Sequence, residues 1–236
     1  MKKLFQNLLK SFLTLASLII GVSCVSAQET TAPRYQEKTP DDTRQLILVY
    51  VPVKEKTQGV VTCYGRENAN SPWKPELGPM PAQIGRSGLG DPGENTEGNG
   101  ELPAGEWGLA YAYGFSPEPP KGLKIPYRQI TDTDYWVDES NAPEYNYWVS
   151  GAEQPAVSHE NMTDPVVRYN LGLIMLYNTR PLNPGKGSAF FLHVWLNAEH
   201  STGGCVALSR ENVVKLLQWL DQKKNPRIRT QTSPEP

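Results

Sequence analysis

Short runs of β-branched and aromatic residues recur along the chain and predict β-strands. The runs are Leu46–Val53, Gly59–Arg66, Gly108–Phe115 and Asn170–Asn178, and turn-forming residues separate them. The last run is apolar enough to be buried on both faces. Residues 67–106 hold many glycines and prolines, so we expect a long irregular excursion there.

One helix is predicted, near the end of the chain. Ser209 can cap it, and Glu211 lies in its first turn. The apolar residues that recur at helical spacing are Val213, Leu216, Leu217 and Leu220. Strands followed by one late helix predict a mainly β domain of the α+β class, which we expect to span residues 46–230.

Residues 1–27 have the pattern of a secretory signal peptide. A basic start precedes an apolar run, and V-S-A at positions 25–27 fits a small-residue cleavage site. The apolar run is too short for a comfortable membrane span. We therefore expect an exported protein that begins at Gln28 and has no integral membrane span after processing. Lipid attachment at Cys24 is the alternative.

Both ends of the mature chain lack apolar periodicity. Residues 28–45 are polar and carry two prolines, which predicts a flexible leader. Residues 231–236 are expected to form a disordered tail.

Net charge limits the class of partner. The formal charge is −2, and removal of residues 1–27 takes away three lysines and no acidic residue, which leaves −5. Proteins that bind nucleic acids or anionic membranes need dense patches of lysine and arginine. A mildly acidic mature chain therefore argues against both of these partners.

Cleavage of the signal peptide would leave two cysteines, Cys63 and Cys205. Two cysteines in an exported protein are typical of one disulfide. Cys63, however, lies in a predicted strand, where a buried thiol is the more common state of cysteine. Cys205 closes the motif HSTGGC, where a nucleophile is a further possibility.

His193 is one candidate base for a cysteine nucleophile, which needs a nearby proton acceptor. It lies within SAFFLHVWL, where alternation places Phe191, His193 and Trp195 on one strand face and Leu192, Val194 and Leu196 on the other. A satisfied core histidine and a base held rigidly opposite a thiol both fit this position.

The other two histidines are weaker candidates. His200 lies five residues before Cys205 in the polar loop NAEHST, and loops hold a geometry less well than strands. His159 is remote in sequence, and its neighbour Glu160 can either orient it or pair with another group. A surface role is the simpler expectation for His159.

Gly203 and Gly204 precede Cys205 directly. Glycines leave the backbone free to adopt positive φ and let a substrate carbonyl approach, so successive N–H groups ending at Cys205 can point at one oxygen. Such an arrangement is an oxyanion hole. A tight turn that joins a strand to the helix is the alternative explanation of the two glycines.

The segment GKGSAFFLHVWLNAEHSTGGCVALS, residues Gly185 to Ser209, resembles the active-site region of the L,D-transpeptidase (YkuD-type) catalytic domain. The signature of that family is a strand histidine followed by a loop and [S/T]-H-G-C. The segment is most similar to a branch with a shorter loop and T-[A/G]-G-C. Upstream, ELPAGEWGL from Glu101 to Leu109 resembles the T-P-x-G-x-F segment of the family, and the resemblance covers roughly residues 46–230.

The resemblance implies that Cys205 is the nucleophile and His193 the general base. Thr202, Gly203 and Gly204 then occupy the [S/T], H and G positions of the signature, with roles in oxyanion or substrate binding. Two departures concern substrate handling: Gly203 replaces the signature histidine, and the arginine often found after the cysteine is absent from CVALS.

Val194 follows the proposed base, and its apolar side chain cannot orient the imidazole. We therefore expect a backbone carbonyl to orient the ring of His193.

The resemblance also implies a fold, a reaction and a location. The fold is an L,D-transpeptidase-like β-sandwich or open barrel, and the reaction is cysteine acyl transfer on peptidoglycan stem peptides in the periplasm or cell envelope. Acceptors are a second stem peptide, free D-amino acids or an envelope protein, and no metal or organic cofactor is required. The alternatives are an L,D-carboxypeptidase, a peptidoglycan–protein amide hydrolase, and a non-catalytic envelope-binding domain.

Overall fold

The computed structural model describes residues 42–53, 56–151, 153–163 and 169–236. The predicted signal peptide and nearly all of the predicted leader lie outside these residues. Within them, no helix is long and apolar enough to cross a membrane.

The described residues form a mainly β structure with one α-helix. The strands are, in chain order, β1 (Gln45–Tyr50), β2 (Gln58–Gly65), β3 (Lys74–Gln83), β4 (Gly88–Leu89), β5 (Glu101–Leu102), β6 (Gly105–Gly114), β7 (Tyr127–Gln129), β8 (Asp134–Val137), β9 (Trp148–Ser150), β10 (His159–Asn161), β11 (Leu171–Met175), β12 (Phe191–Val194), β13 (Val206–Leu208) and β14 (Arg227–Gln231). Helix α1 is Arg210–Trp219, and a 3-10 turn follows at Gln222–Lys224.

A large sheet closes on itself like a barrel. Its strand order is β11-β12-β13-β3-β2-β1-β14-β6-β7, and β11 also pairs with β6. That additional pairing joins the first eight strands into a ring, while β7 continues the sheet beyond β6. The predicted fold, a mainly β α+β barrel with one late helix, is confirmed.

The main core contains aliphatic side chains from the strands and from α1. Ile47, Val61, Leu192 and Leu217 are fully buried in this cluster. Complete burial of one such side chain stabilises the fold by about 1.5–3 kcal/mol. The helix therefore covers part of the sheet, and its buried stripe is the one predicted from helical spacing.

The capping of α1 is also as predicted. Ser209 Oγ accepts a hydrogen bond from the Asn212 amide at 3.2 Å. A side-chain acceptor at this position satisfies one of the N–H groups that the first turn leaves unbonded.

A second, aromatic cluster lies next to a small sheet of order β10-β8-β9. Trp136 from β8 packs against Phe191 from β12, with ring centroids 5.0 Å apart. Alternation along β12 directs Leu192 and Val194 into the main core, while Phe191 joins the aromatic cluster. The two predicted faces are correct within β12, but the strand ends at Val194, so Leu196 lies beyond it and is exposed.

The expectation of an irregular excursion over residues 67–106 is wrong in part, because β3, β4 and β5 lie there. Strand β3 contains three prolines at positions 75, 79 and 81, which obscured it in the sequence. It pairs along its length with β2 but with β13 only through Gln83 and Ala207. Most of one edge of β3 therefore needs no N–H donors, so proline is tolerated there.

Several predicted boundaries differ by a few residues. Strand β1 begins at Gln45, one residue earlier than expected, and Thr43 before it is buried. The run Asn170–Asn178 contributes only the five residues of β11. Strand β14 was not predicted and extends to Gln231, the first residue of the expected tail.

Candidate active site

Strands β12 and β13 place Cys205 and His193 on one face of the sheet. The two strands are parallel, with His193 paired to Ala207 and Leu192 to Val206. Paired residues on neighbouring strands point to the same face, and so do residues two positions apart on one strand. Cys205, two residues before Ala207, therefore shares the face of His193, and the Phe191 amide donates a hydrogen bond to Cys205 Sγ at 3.4 Å.

The imidazole of His193 is buried and oriented by the backbone. Its Nδ1 lies 2.8 Å from the carbonyl oxygen of Val194. A carbonyl oxygen only accepts hydrogen bonds, so Nδ1 carries the ring proton and Nε2 is the nitrogen that can accept a proton. The orienting group is a backbone carbonyl, as the apolar side chain of Val194 led us to expect.

Cys205 and Cys63 have different surroundings, and the structure does not join them in a disulfide. Cys63 is fully buried in the main core, whereas Cys205 is half-buried beside the aromatic cluster. Burial, and secondarily the charge of Glu76, raises the pKa of the Cys63 thiol far above its usual value. Cys63 is therefore an unreactive core thiol, and the thiol of Cys205 is the accessible one.

The segment before β12 holds an acceptor for the Cys205 thiol. Cys205 Sγ donates to the carbonyl of Ala189 at 3.3 Å, and Ala189 adopts a φ of +56°. The Asn146 side chain fixes this unusual conformation, because its Oδ1 accepts from the Ala189 amide at 3.2 Å. Its Nδ2 is in turn anchored by the carbonyls of Tyr177 and Asn178. Asn146, which the sequence did not reveal as a site residue, thus positions the group that contacts the thiol.

The Thr202 side chain shapes the loop before Cys205. Its Oγ1 donates to the Cys205 carbonyl at 2.7 Å and accepts from the Gly204 amide at 3.1 Å. The Thr202 backbone also bonds to Ile84 and Arg86 at 2.9 Å each. The Gly204 N–H is therefore already engaged within the loop.

Replacement of Gly204 by alanine is expected to distort the site. Gly204 has a φ of +146°, and a Cβ there would lie 2.8 Å from Phe190 Cε1 and 2.9 Å from the Glu101 carbonyl oxygen. Overpacking of this kind costs about 2 kcal/mol, so the Tm of Gly204→Ala should fall by roughly 4–8 °C. Alkylation of Cys205 by iodoacetamide should slow as well.

Gly203→Ala is the matched control for stability. Among the described residues outside its chain neighbours, a Cβ at Gly203 would come within 4 Å only of Arg86 Nη1, at 3.8 Å. The Tm of Gly203→Ala should therefore stay close to that of the wild type. If the two variants lost the same Tm, the close packing of Gly204 against Phe190 and Glu101 would not be what makes glycine necessary for stability. Thermal unfolding followed by circular dichroism provides the comparison.

A cavity of about 200 Å³ opens at Cys205 and His193. Its wall includes Tyr169, whose ring centroid lies 6.3 Å from that of His193. The Tyr169 hydroxyl donates to Glu160 at 2.9 Å. Glu160 and Arg86 also line the cavity, so it carries charged groups of both signs that the sequence did not bring together.

Tyr113 contributes a buried hydroxyl next to this site. Its ring packs against Phe191 with centroids 5.6 Å apart, and its OH has no hydrogen-bond partner among the described residues. Burial, followed by the charge that Cys205 carries as a thiolate, raises the pKa of Tyr113 well above its usual value. The phenol therefore stays protonated and remains a donor at neutral pH.

The other two histidines lie apart from this cavity. His159 is half-exposed on β10, where Nδ1 lies 2.6 Å from the Val157 carbonyl and Nε2 2.7 Å from Gln154. His200 is exposed and lines a neighbouring cavity of about 180 Å³, whose wall also includes His193. Within the residues described, His193 is the histidine that shares a cavity with Cys205.

The described part of the chain contains no group of three or more histidine, cysteine, aspartate or glutamate side chains arranged to hold a metal ion.

Comparison with known proteins identifies the family. Residues 53–228 match the sequence profile of the L,D-transpeptidase catalytic domain, YkuD. Searches of curated proteins and of solved structures gave no significant match. The profile covers well over half of the chain and includes the segment from Gly185 to Ser209 that resembled the family signature. The chain therefore belongs to the L,D-transpeptidase (YkuD) catalytic-domain family.

Proposed function

We propose that the protein is a peptidoglycan L,D-transpeptidase that forms an acyl-enzyme on Cys205. The observation that carries the proposal is the arrangement of β12 and β13, which directs Cys205 and the backbone-oriented His193 into one cavity. Membership of the family supports peptides of the cell wall as substrates. Export by the signal peptide predicted for residues 1–27 would bring the enzyme to them.

In the first half-reaction, His193 Nε2 takes the proton of the Cys205 thiol. The thiolate attacks the carbonyl carbon of the amide that joins an L-centre to a D-amino acid in a stem peptide. The tetrahedral intermediate then collapses: its C–N bond breaks, the imidazolium protonates the departing amine, and a thioester remains on Cys205.

Negative charge develops on sulfur and then on the carbonyl oxygen. Backbone amides of the loop that ends at Cys205 are the donors we assign to the oxygen, and the Gly204 amide is the one already bonded to Thr202. Oxyanion donors of this kind each contribute about 3–4 kcal/mol to catalysis. The Phe191 amide already contacts the sulfur. The Tyr113 hydroxyl, which has no hydrogen-bond partner among the described residues, is a further donor in the aromatic cluster against which Cys205 packs.

In the second half-reaction, an amine attacks the thioester with His193 as the base. The C–S bond breaks, a new amide bond forms, and the proton of the amine returns through His193 to sulfur. Water in place of the amine would make the same site an L,D-carboxypeptidase or an amide hydrolase, which is the alternative activity.

The proposal is tested by incubating the purified protein with stem-peptide muropeptides and analysing the products by mass spectrometry. We expect cross-linked dimers whose formation accompanies release of one D-amino acid. Shortened monomers without dimers would identify a hydrolase. If Cys205→Ser gave the same products as the wild type, the cysteine mechanism would be wrong.

A further inference from the structure

A row of four paired residues crosses the sheet at the candidate active site. Tyr113 on β6 is paired with Gly172 on β11, which is in turn paired with His193 on β12. His193 is paired with Ala207 on β13. Directly paired residues on neighbouring strands point to the same face of a sheet. The side chain of Tyr113 therefore lies on the sheet face that carries His193 and Cys205.

Gly172 leaves room for the Tyr113 hydroxyl on this face. A Cβ atom at position 172 would lie 2.4 Å from the phenol oxygen and 2.5 Å from Cζ of the same ring, which is closer than Cβ atoms approach other heavy atoms. The phenol therefore extends from β6 across β11. Its oxygen lies over β11, and the next strand is β12, which carries His193.

The Tyr113 hydroxyl is buried without a hydrogen-bond partner in the part of the chain that the structure describes. Its ring packs edge-on against Trp148 and Phe191, with centroids 6.0 Å and 5.6 Å away. A phenylalanine would make the same ring contacts without burying an unpaired polar group, which destabilises a fold. The hydroxyl is thus an unused donor on the side of the sheet where the sulfur of Cys205 lies.

The hydrogen bonds of Cys205 must change when its thiol loses the proton. As a thiol, Sγ donates to the Ala189 carbonyl and accepts from the Phe191 amide. A thiolate has no proton to donate, so the Ala189 carbonyl is no longer a partner and the sulfur gains from further donors. Cys205 packs against the cluster that contains Tyr113. The thiolate charge also acts on Tyr113, because it is the second cause, after burial, of the raised pKa of the phenol.

We propose that the Tyr113 hydroxyl donates a hydrogen bond to the Cys205 sulfur once the thiol has been deprotonated, and that it thereby stabilises the thiolate. His193 takes the thiol proton and the phenol keeps its own, so S–H is the only bond that breaks in this step. Because Tyr113 is fully buried, a substrate in the cavity cannot reach it. The inference deepens the proposed function and rests on it, since that function requires the thiolate.

Other titratable groups face Cys205 and Tyr113. Tyr111 precedes Tyr113 on the same face of β6, and the charges of Arg128 and Asp134 act on its hydroxyl. Replacement of a tyrosine by phenylalanine removes one oxygen and leaves every charged side chain in place. The titratable groups on the cavity wall beside Cys205 are Arg86, Glu97, Asp138, Glu160, Tyr169 and His193.

The test is the pH dependence of alkylation by iodoacetamide, which reports the thiolate of Cys205 because Cys63 is fully buried. In Tyr113→Phe we expect the midpoint of the rate profile to move up by about one pH unit, as loss of a charge-assisted hydrogen bond implies. The rate at pH 7 should fall about tenfold for the same reason. Above the midpoint the rates of the two proteins should converge, and the Tm should not fall, because a buried unpaired group has been removed.

Tyr111→Phe is the matched control, because it removes the same atom from the same strand and the same aromatic cluster. Its rate profile should keep the wild-type midpoint. An unchanged midpoint in Tyr113→Phe, an equal movement in Tyr111→Phe, or rates that stay apart at high pH would each overturn the inference. Iodoacetamide needs no peptidoglycan, so these results do not depend on the reaction catalysed. Failure of the wild type to cross-link or shorten muropeptides would instead refute the proposed function.

Discussion

Treatment with a carbapenem is expected to add one molecule to the wild-type protein and to Cys63→Ser, and none to Cys205→Ser. The strained amide of the carbapenem is an acyl donor that the cysteine site of this family is expected to accept. Cys205 is half-buried at a cavity, and Cys63 is sealed in the core with a raised pKa. Intact-mass measurement before and after treatment counts the adducts.

Iodoacetamide provides an independent measurement with a smaller reagent. It should modify Cys205 faster than a model thiol at pH 7, because a base beside a thiol increases its thiolate fraction. If instead treatment gave no adduct and the protein had a mass two units below the reduced value, Cys63 and Cys205 would be joined in a disulfide. That outcome would favour the non-catalytic envelope-binding domain.

His193→Ala is expected to lower the rate of Cys205 acylation by about 10²–10⁴-fold, the usual effect of removing a general base. The variant loses the imidazole whose Nδ1 is held by the Val194 carbonyl and whose Nε2 can accept a proton. Time-resolved intact-mass spectra with a carbapenem give the rate.

His200→Ala and His159→Ala are the matched comparisons and should retain most of the acylation rate. His200 is exposed on the loop, and His159, at the start of β10, bonds to Gln154 and Val157. Because His193 is buried, the Tm of each variant must be measured so that unfolding is not mistaken for lost catalysis. If folded His193→Ala and His200→Ala lost the acylation rate equally, the general base would have to be assigned to the loop that carries His200.

Local patterns predicted the helix and the strand that carries His193 because both depend on nearby residues. The capping interaction of α1 spans three residues, from Ser209 to Asn212. The two faces of β12 follow from simple alternation. Strand β3 was missed because its three prolines resemble loop composition, and their tolerance depends on how little of β3 pairs with β13. That pairing is a property of the assembled sheet, which a local pattern does not contain.

The site also contains some residues that a local pattern reveals and others that only the assembled fold reveals. Cys205 and His193 are twelve positions apart in the printed sequence, within one motif that can be recognised. Asn146 acts on Ala189 from 43 positions away, and Arg86 reaches the loop before Cys205 from another segment. Neither residue lies in a motif of its own, so their placement in the site required the tertiary structure.

The pairing of β1 with β14 has a consequence for how the protein is made. These strands are parallel neighbours, with Leu46 opposite Arg227, although most of the chain lies between them. Such distant pairings form late in folding, because the intervening chain must first be ordered. A ribosome releases residues from the N-terminus onward. Because β14 pairs with both β1 and β6, each of these two strands has one unpaired edge until residues 227–231 have been synthesised. The barrel cannot close on a nascent chain, and a chaperone that covers those edges would protect the chain from aggregation during that interval.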